Sequence, residues 1–105
     1  MNLHLVLTHH WYDEVASGRK RIEYRDRSLF WFDRIWRKRH DIKTVTFARG
    51  YTSTTLKFNV TKIDIGPCPY PEWDQNYYRV HFEEDTQALD ELAEMKMDKR
   101  KVEQL

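Results

Sequence analysis

Between Thr54 and Ile65 the chain alternates apolar and polar residues, and the parity of that alternation changes part-way. Leu56, Phe58 and Val60 hold one parity, while Ile63 and Ile65 hold the other. Successive side chains of a strand point to opposite faces, so one buried face survives such a change only if an extra residue is inserted. The shift near Thr61–Lys62 therefore predicts a β-bulge, a device used where sheets curve into barrels.

The flanking segments fit that frame. Leu3, Leu5 and Leu7 alternate with His4, Val6 and Thr8 and read as a first strand. Trp11, Tyr12, Val15 and Ala16 fall at helical spacing, with Asp13 and Glu14 near the start and Gly18 placed to end the helix in a left-handed conformation. A short charged strand is expected over Ile22–Arg25. Ser28 can cap a second helix running to about Arg39, with Trp31, Phe32, Ile35 and Trp36 as its apolar stripe and Arg34, Arg37 and Lys38 opposite. Val45–Arg49 reads as a strand, as do Tyr78, Val80 and Phe82 with Tyr77, Arg79 and His81 on the other face. Gly66-Pro67-Cys68-Pro69-Tyr70-Pro71 reads as a stiff loop, because proline lacks an N–H and fixes φ. The order β-α-β-α-β-β-β predicts an α+β fold, a small mixed β-barrel with helices packed outside. A doubly wound parallel sheet is disfavoured because the later strands follow without helices between them.

A chain of 105 residues suffices for one domain with a modest core. The pattern divides it into a barrel domain over 1–82 and an acidic, helix-like C-terminal tail over 83–105. The formal charge of +1 conceals this division, since residues 1–82 carry +5 and the tail −4. Residues 19–39 alone carry +6, a density suited to a polyanion or, equally, to a solvated helix face. The single cysteine, Cys68, excludes a disulfide framework and a CxxC zinc site, and the five histidines show no paired ligand spacing. No apolar run matches a membrane span and no signal peptide opens the chain, so the expected location is cytoplasmic, with no membrane partner, metal or cofactor.

The densest polar constellation is Gly18-Arg19-Lys20-Arg21-Ile22-Glu23-Tyr24-Arg25. If a strand begins near Arg21, Glu23 and Arg25 share one face and Ile22 and Tyr24 the other. Lys20 lies on the turn before it. Flanking arginines disfavour its charged form, which suits a nucleophile or base. An ordinary exposed turn is the competing reading.

Read as G-x-K-x-x-E-x-R, these residues (Gly18, Lys20, Glu23 and Arg25) resemble the signature of ASCH domains, small barrels of the PUA-like superfamily. The resemblance covers about residues 3–82. It implies a cleft holding RNA or a modified nucleotide, with Lys20, Glu23 and Arg25 lining it. Some ASCH proteins are amidohydrolases that deacylate acetylated cytidine with a lysine, a threonine and a glutamate. In this sequence Lys20 is present, Glu23 stands in the threonine's place, and Glu72 or Asp74 is the candidate second acid. Others are linked to RNA cleavage or to binding alone.

The reading is thus an RNA- or modified-nucleotide-binding domain with a basic cleft. Lys20, Glu23 and Arg25 form its floor, and Arg49 and Tyr51 lie nearby if their strand runs alongside. Arg25 and Arg49 would hold phosphates or base edges, and Glu23 would accept hydrogen bonds from a base or orient Lys20. Trp73, in the stiff loop, is the first candidate for stacking on a base, ahead of Trp31, Trp36 and Tyr51. The alternative is a small hydrolase acting on a modified nucleoside or RNA, with Lys20 as base or nucleophile and Glu23 or Glu72 moving the proton. A third reading, a protein-interaction module using the acidic tail, has least support.

Overall fold

The computed structural model describes residues 1–84. The elements are β1 (Asn2–Leu7), α1 (His9–Ala16), β2 (Ile22–Arg25), α2 (Leu29–Trp31, continued by a π turn over Phe32–Trp36), β3 (Thr44–Arg49), β4 (Thr55–Pro67) and β5 (Asn76–Glu83). This is the order expected from the sequence. The strands make one sheet in the order β1-β3-β4-β5-β2. β1 and β3 are parallel, and the remaining pairs are antiparallel. The fold is α+β, as expected, and the sheet is curled into a half-barrel. Among the described residues β1 and β2 are the two edges, each paired on one side only, so the half-barrel is open along a seam between them. Glu83, assigned to the tail from sequence, is the last residue of β5; the expected tail helix otherwise lies outside the described residues.

Alternation places the core. Leu3, Leu5 and Leu7 turn inward, as do Val45 and Phe47 of β3 and Tyr78, Val80 and Phe82 of β5. The rings of Phe47, Phe58 and Phe82 pack with centroids 4.9–6.0 Å apart at the centre. Helix α1 adds Tyr12 and Val15, the π turn adds Ile35, and Ile42 closes one end. Trp36 stacks on Tyr78 at 5.6 Å.

β4 makes the curl. Its first part, Thr55–Asn59, pairs with β3, and its second, Asn59–Pro67, pairs with β5. The register shifts between Val60 and Lys62, where the broken parity predicted a bulge. Because β3 accompanies only the first part, the far end of β4 is paired on one side, which is where a strand tolerates proline. The expected loop accordingly starts later: Gly66 and Pro67 still pair, with Tyr77 and Asn76.

The second helix also differs from expectation. Ser28 caps it, accepting from Trp31 N at 3.3 Å. The bonding then widens, with Arg37 N donating to Phe32 O at 2.9 Å, and regular helix ends at Trp36 rather than Arg39. Arg39 folds back, donating to Trp36 O at 2.8 Å while its guanidinium lies over the Trp36 ring. The single π turn keeps both Ile35 and Trp36 on the sheet at the cost of helix length.

On the outer face, β4 and β5 are joined by a bidentate pair in which Arg79 donates to both oxygens of Asp64, at 2.8 and 2.7 Å. His81 Nε2 lies 3.0 Å from Asp64 Oδ1. The same guanidinium lies across Gly66, where a Cβ would overlap it. Gly66→Ala should therefore destabilise the fold by about 1–3 kcal/mol in urea unfolding. Added to Arg79→Ala it should cost little more, because the obstruction is gone. Full additivity would show that the glycine is needed for another reason.

The Arg79 hydrogen bonds outweigh burial and, with His81, hold the Asp64 carboxyl at about 2 against an ordinary 3.8. A depressed folded-state pKa stabilises above the unfolded value and is lost as pH falls through the folded one. Asp64 should contribute up to about 2 kcal/mol near neutrality, disappearing between about pH 4 and pH 2. Asp64→Asn should lose stability at pH 7 and show a flatter decline over that window; a parallel pH profile would contradict the assignment.

Candidate functional site

Gly18 lies in the turn just after helix α1, with a φ of +83° that residues with a Cβ rarely adopt. Gly18 N bonds Val15 O at 3.1 Å, and Lys20 N bonds Glu14 O at 3.1 Å, so the turn brings the chain back under the helix. This tuck separates three consecutive cations. Arg19 reaches out to Glu14 at 2.8 Å, Arg21 lies 3.9 Å from Glu84, and Lys20 goes inside, 6% exposed. The sequence suggested a lysine crowded by arginines. Both turn away, and the charge facing Lys20 is a carboxylate.

That carboxylate is Glu23, 4% exposed. In the β2–β5 register Glu23 lies opposite Val80 and Arg25 opposite Tyr78, so both share the face that carries the core, as alternation required. Glu23 Oε1 accepts from Lys20 Nζ at 2.7 Å and Tyr24 N at 3.0 Å, and Oε2 accepts from Arg25 Nη2 at 2.9 Å. The same Arg25 nitrogen donates to Val6 O at 3.3 Å, joining edge β2 to edge β1 across the seam. Arg25 Nε is buried without a hydrogen-bond partner among the described residues. Two cations share one anion, leaving one surplus positive charge at the seam.

Above this group opens a cavity of about 520 Å³ with aromatic walls. Lys20 Nζ lies 4.5 Å from the Trp11 ring and 5.9 Å from that of Tyr70. Tyr70 packs on Trp11 at 4.8 Å and on Tyr24 at 5.7 Å, and Trp73 packs on Tyr77 at 5.2 Å. On the other side Trp31 lies under the Arg25 guanidinium at 4.7 Å. Burial pushes the Tyr24 and Tyr70 hydroxyls above the ordinary tyrosine value, so both stay protonated near neutrality. Exposed Asp26 and Glu72 stand in the lining as acceptors. Glu72 takes a φ of +71°, uncommon for a residue with a side chain.

The structure thus gathers Lys20, Glu23, Arg25, Glu72 and Trp73 around one space. Asp74 and Arg49 are not in its lining. β3 runs parallel to β1, with Arg49 opposite Leu7, and Arg49 is held by Asp13 at 3.1 and 3.3 Å. The Arg49 hydrogen bond lowers the Asp13 carboxyl below its ordinary value. Tyr51 is 99% exposed and borders a neighbouring groove. Four walls went unassigned in the sequence: Trp11, Tyr24, Tyr70 and Tyr77. Trp11 belongs to the helical stripe of α1, which alone accounts for its place in the sequence. Tyr70 carried a usable signal, since Pro69 and Pro71 fix the backbone on either side of it.

Comparison with models of known families, with curated proteins and with solved structures found no match. Among the described residues no group of three or more His, Cys, Asp and Glu side chains is placed to hold a metal ion, and no helix is long and apolar enough to cross a membrane.

Removing one member of a buried ion pair leaves the other charge uncompensated. Glu23→Ala strands two cations and should cost about 3–5 kcal/mol in urea unfolding. Lys20→Met should cost clearly less, because Glu23 keeps Arg25 and the Tyr24 N–H. Equal losses would show that Glu23 is not the shared centre of the group.

Proposed function

We propose that this chain is a PUA-like domain of the ASCH type that binds RNA or a modified nucleotide, holding one base in the aromatic cavity. The observation that carries the reading is the buried Lys20–Glu23–Arg25 group at the floor of that cavity. A planar base offers faces to stack and an edge of carbonyl oxygens and amines. The walls supply Trp11, Tyr70 and Trp73 for the faces. The floor supplies N–H donors from Lys20 and Arg25 for the oxygens, and Asp26 and Glu72 would accept from exocyclic amines. Glu23 already accepts three hydrogen bonds, so its part is to orient Lys20 and Arg25 rather than to contact the base. The G-x-K-x-x-E-x-R resemblance supports the same reading, since its lysine, glutamate and arginine are the three residues that converge.

Titration calorimetry with the four nucleoside 5′-monophosphates and with N4-acetylcytidine tests this. Binding of at least one is expected. Trp73→Ala should weaken it by about 1–3 kcal/mol, the range for one base–aromatic stack. Absence of binding by the whole panel would overturn the reading.

A second reading, a hydrolase with Lys20 as base or nucleophile, is favoured by one feature, the place of Glu72 in the same lining as Lys20. Against it stands the 2.7 Å pairing of Lys20 Nζ with Glu23, because a nucleophilic amine must be free of its proton and its partner. Turnover of N4-acetylcytidine that Lys20→Arg and Glu72→Gln both abolish would establish the hydrolase. Binding without turnover excludes it for that substrate.

A further inference from the structure

A second groove, of about 560 Å³, adjoins the cavity and shares Arg25, Trp31 and the Val6–Thr8 segment with it. The two differ in charge. The cavity's lining includes Asp26 and Glu72 beside Lys20, Glu23 and Arg25. Among the described residues the groove's lining contains Arg25 and Arg34 and no carboxylate. A phosphate is therefore disfavoured at the cavity and favoured next door. The groove also presents aromatic surface that the fold leaves uncovered. Tyr51 follows β3 almost fully exposed, and Phe30 is 53% exposed with the Arg34 guanidinium 4.0 Å from its ring. Phe30 packs edge-on against Trp31 at 4.8 Å, so the aromatic surface runs on from the cavity wall.

We infer that the groove is a second nucleotide subsite and that the ligand is single-stranded RNA held over at least two consecutive residues, one base in the cavity and its neighbour in the groove against Tyr51 and Phe30. The linking phosphate lies over Arg25, the one cation common to both spaces, with Arg34 beyond it. This rests on the proposed cavity function and extends it, because a free nucleoside would leave the groove's arginines and exposed rings unused.

A length series separates the two claims. The probes are uridine and cytidine 5′-monophosphates, the dinucleotides UpC and CpU, and mixed-sequence tetramers, measured by calorimetry at two salt concentrations. Dinucleotides should bind about tenfold or more tightly than monophosphates, with a steeper salt dependence, and tetramers should add less. Tyr51→Ala and Phe30→Ala should each remove most of that gain while leaving monophosphate affinity within about twofold, and Arg34→Gln should flatten the salt dependence of dinucleotide binding. Tyr51 is solvent-exposed, so its variant should unfold like the parent and any loss will report binding. Monophosphates binding as tightly as dinucleotides would overturn the second subsite and leave the cavity reading intact. Equal weakening of both probe lengths by the Tyr51 and Phe30 variants would also overturn it. No binding of any probe would overturn both claims together.

Discussion

The carboxylate of Glu23 is the interaction on which the site and the seam both depend. It is buried, it accepts from a lysine, an arginine and a backbone N–H, and it lies on the core side of the sheet. A charge so placed is tolerable only when both of its oxygens are hydrogen-bonded and opposite charge is close. Both conditions are met from within a few residues. Lys20 arrives from the turn that Gly18 makes possible, and Arg25 follows one strand repeat later. Arg25 then carries the link across to Val6 O, the cross-seam bond that a backbone ladder would supply in a closed barrel.

Why the barrel stays open can be traced to β4. Its bulge passes the strand from β3 to β5, so five strands turn through a tight curve. β2, however, is only four residues long and, among the described residues, pairs with β5 alone. The two edges are bridged by the Arg25 side chain, and the cavity opens beside that bridge. The half-barrel is therefore a condition for the site, because closing the sheet would fill the space with paired backbone.

Much of this was legible in the residues. Alternation marked the inward faces of β1 and β5, and broken parity marked the bulge. The i, i+2 relation of Glu23 and Arg25 gave their common face. These are local signals, set by the period of a strand or by the left-handed freedom of Gly18. What was not legible depends on pairing at long range. The fate of Arg49 follows from β3 lying parallel to β1, and no local pattern around Val45–Arg49 encodes that partner. The separation of Arg19 and Arg21 from Lys20 required knowing where Glu14 and Glu84 would stand. Pro67 could enter a strand because β3 stops short of it, again a fact about a neighbour. The closing aromatic walls, Trp11 and Tyr70, come from two segments far apart in sequence, and each had a sufficient local explanation in a helix stripe or a stiff loop.

Energetics then bear on what the triad is for. Replacing a buried ion group by well-packed apolar residues is often neutral or stabilising, so three charges at the edge of a small core are not explained by stability. Within the triad one positive charge is left over, which Asp26 and Glu72 of the same lining offset, and a buried guanidinium nitrogen lacks an acceptor among the described residues. A group built only to hold strands together would end neutral and satisfied. This one borders an aromatic space through Lys20 and Arg25, with acids in the same lining and, among the described residues, a carboxylate-free groove beside it. That asymmetry would suit the proposed ligand, whose two ends differ chemically: the flat polar ring would lie toward Lys20 and the anion toward Arg25 and the groove beyond it.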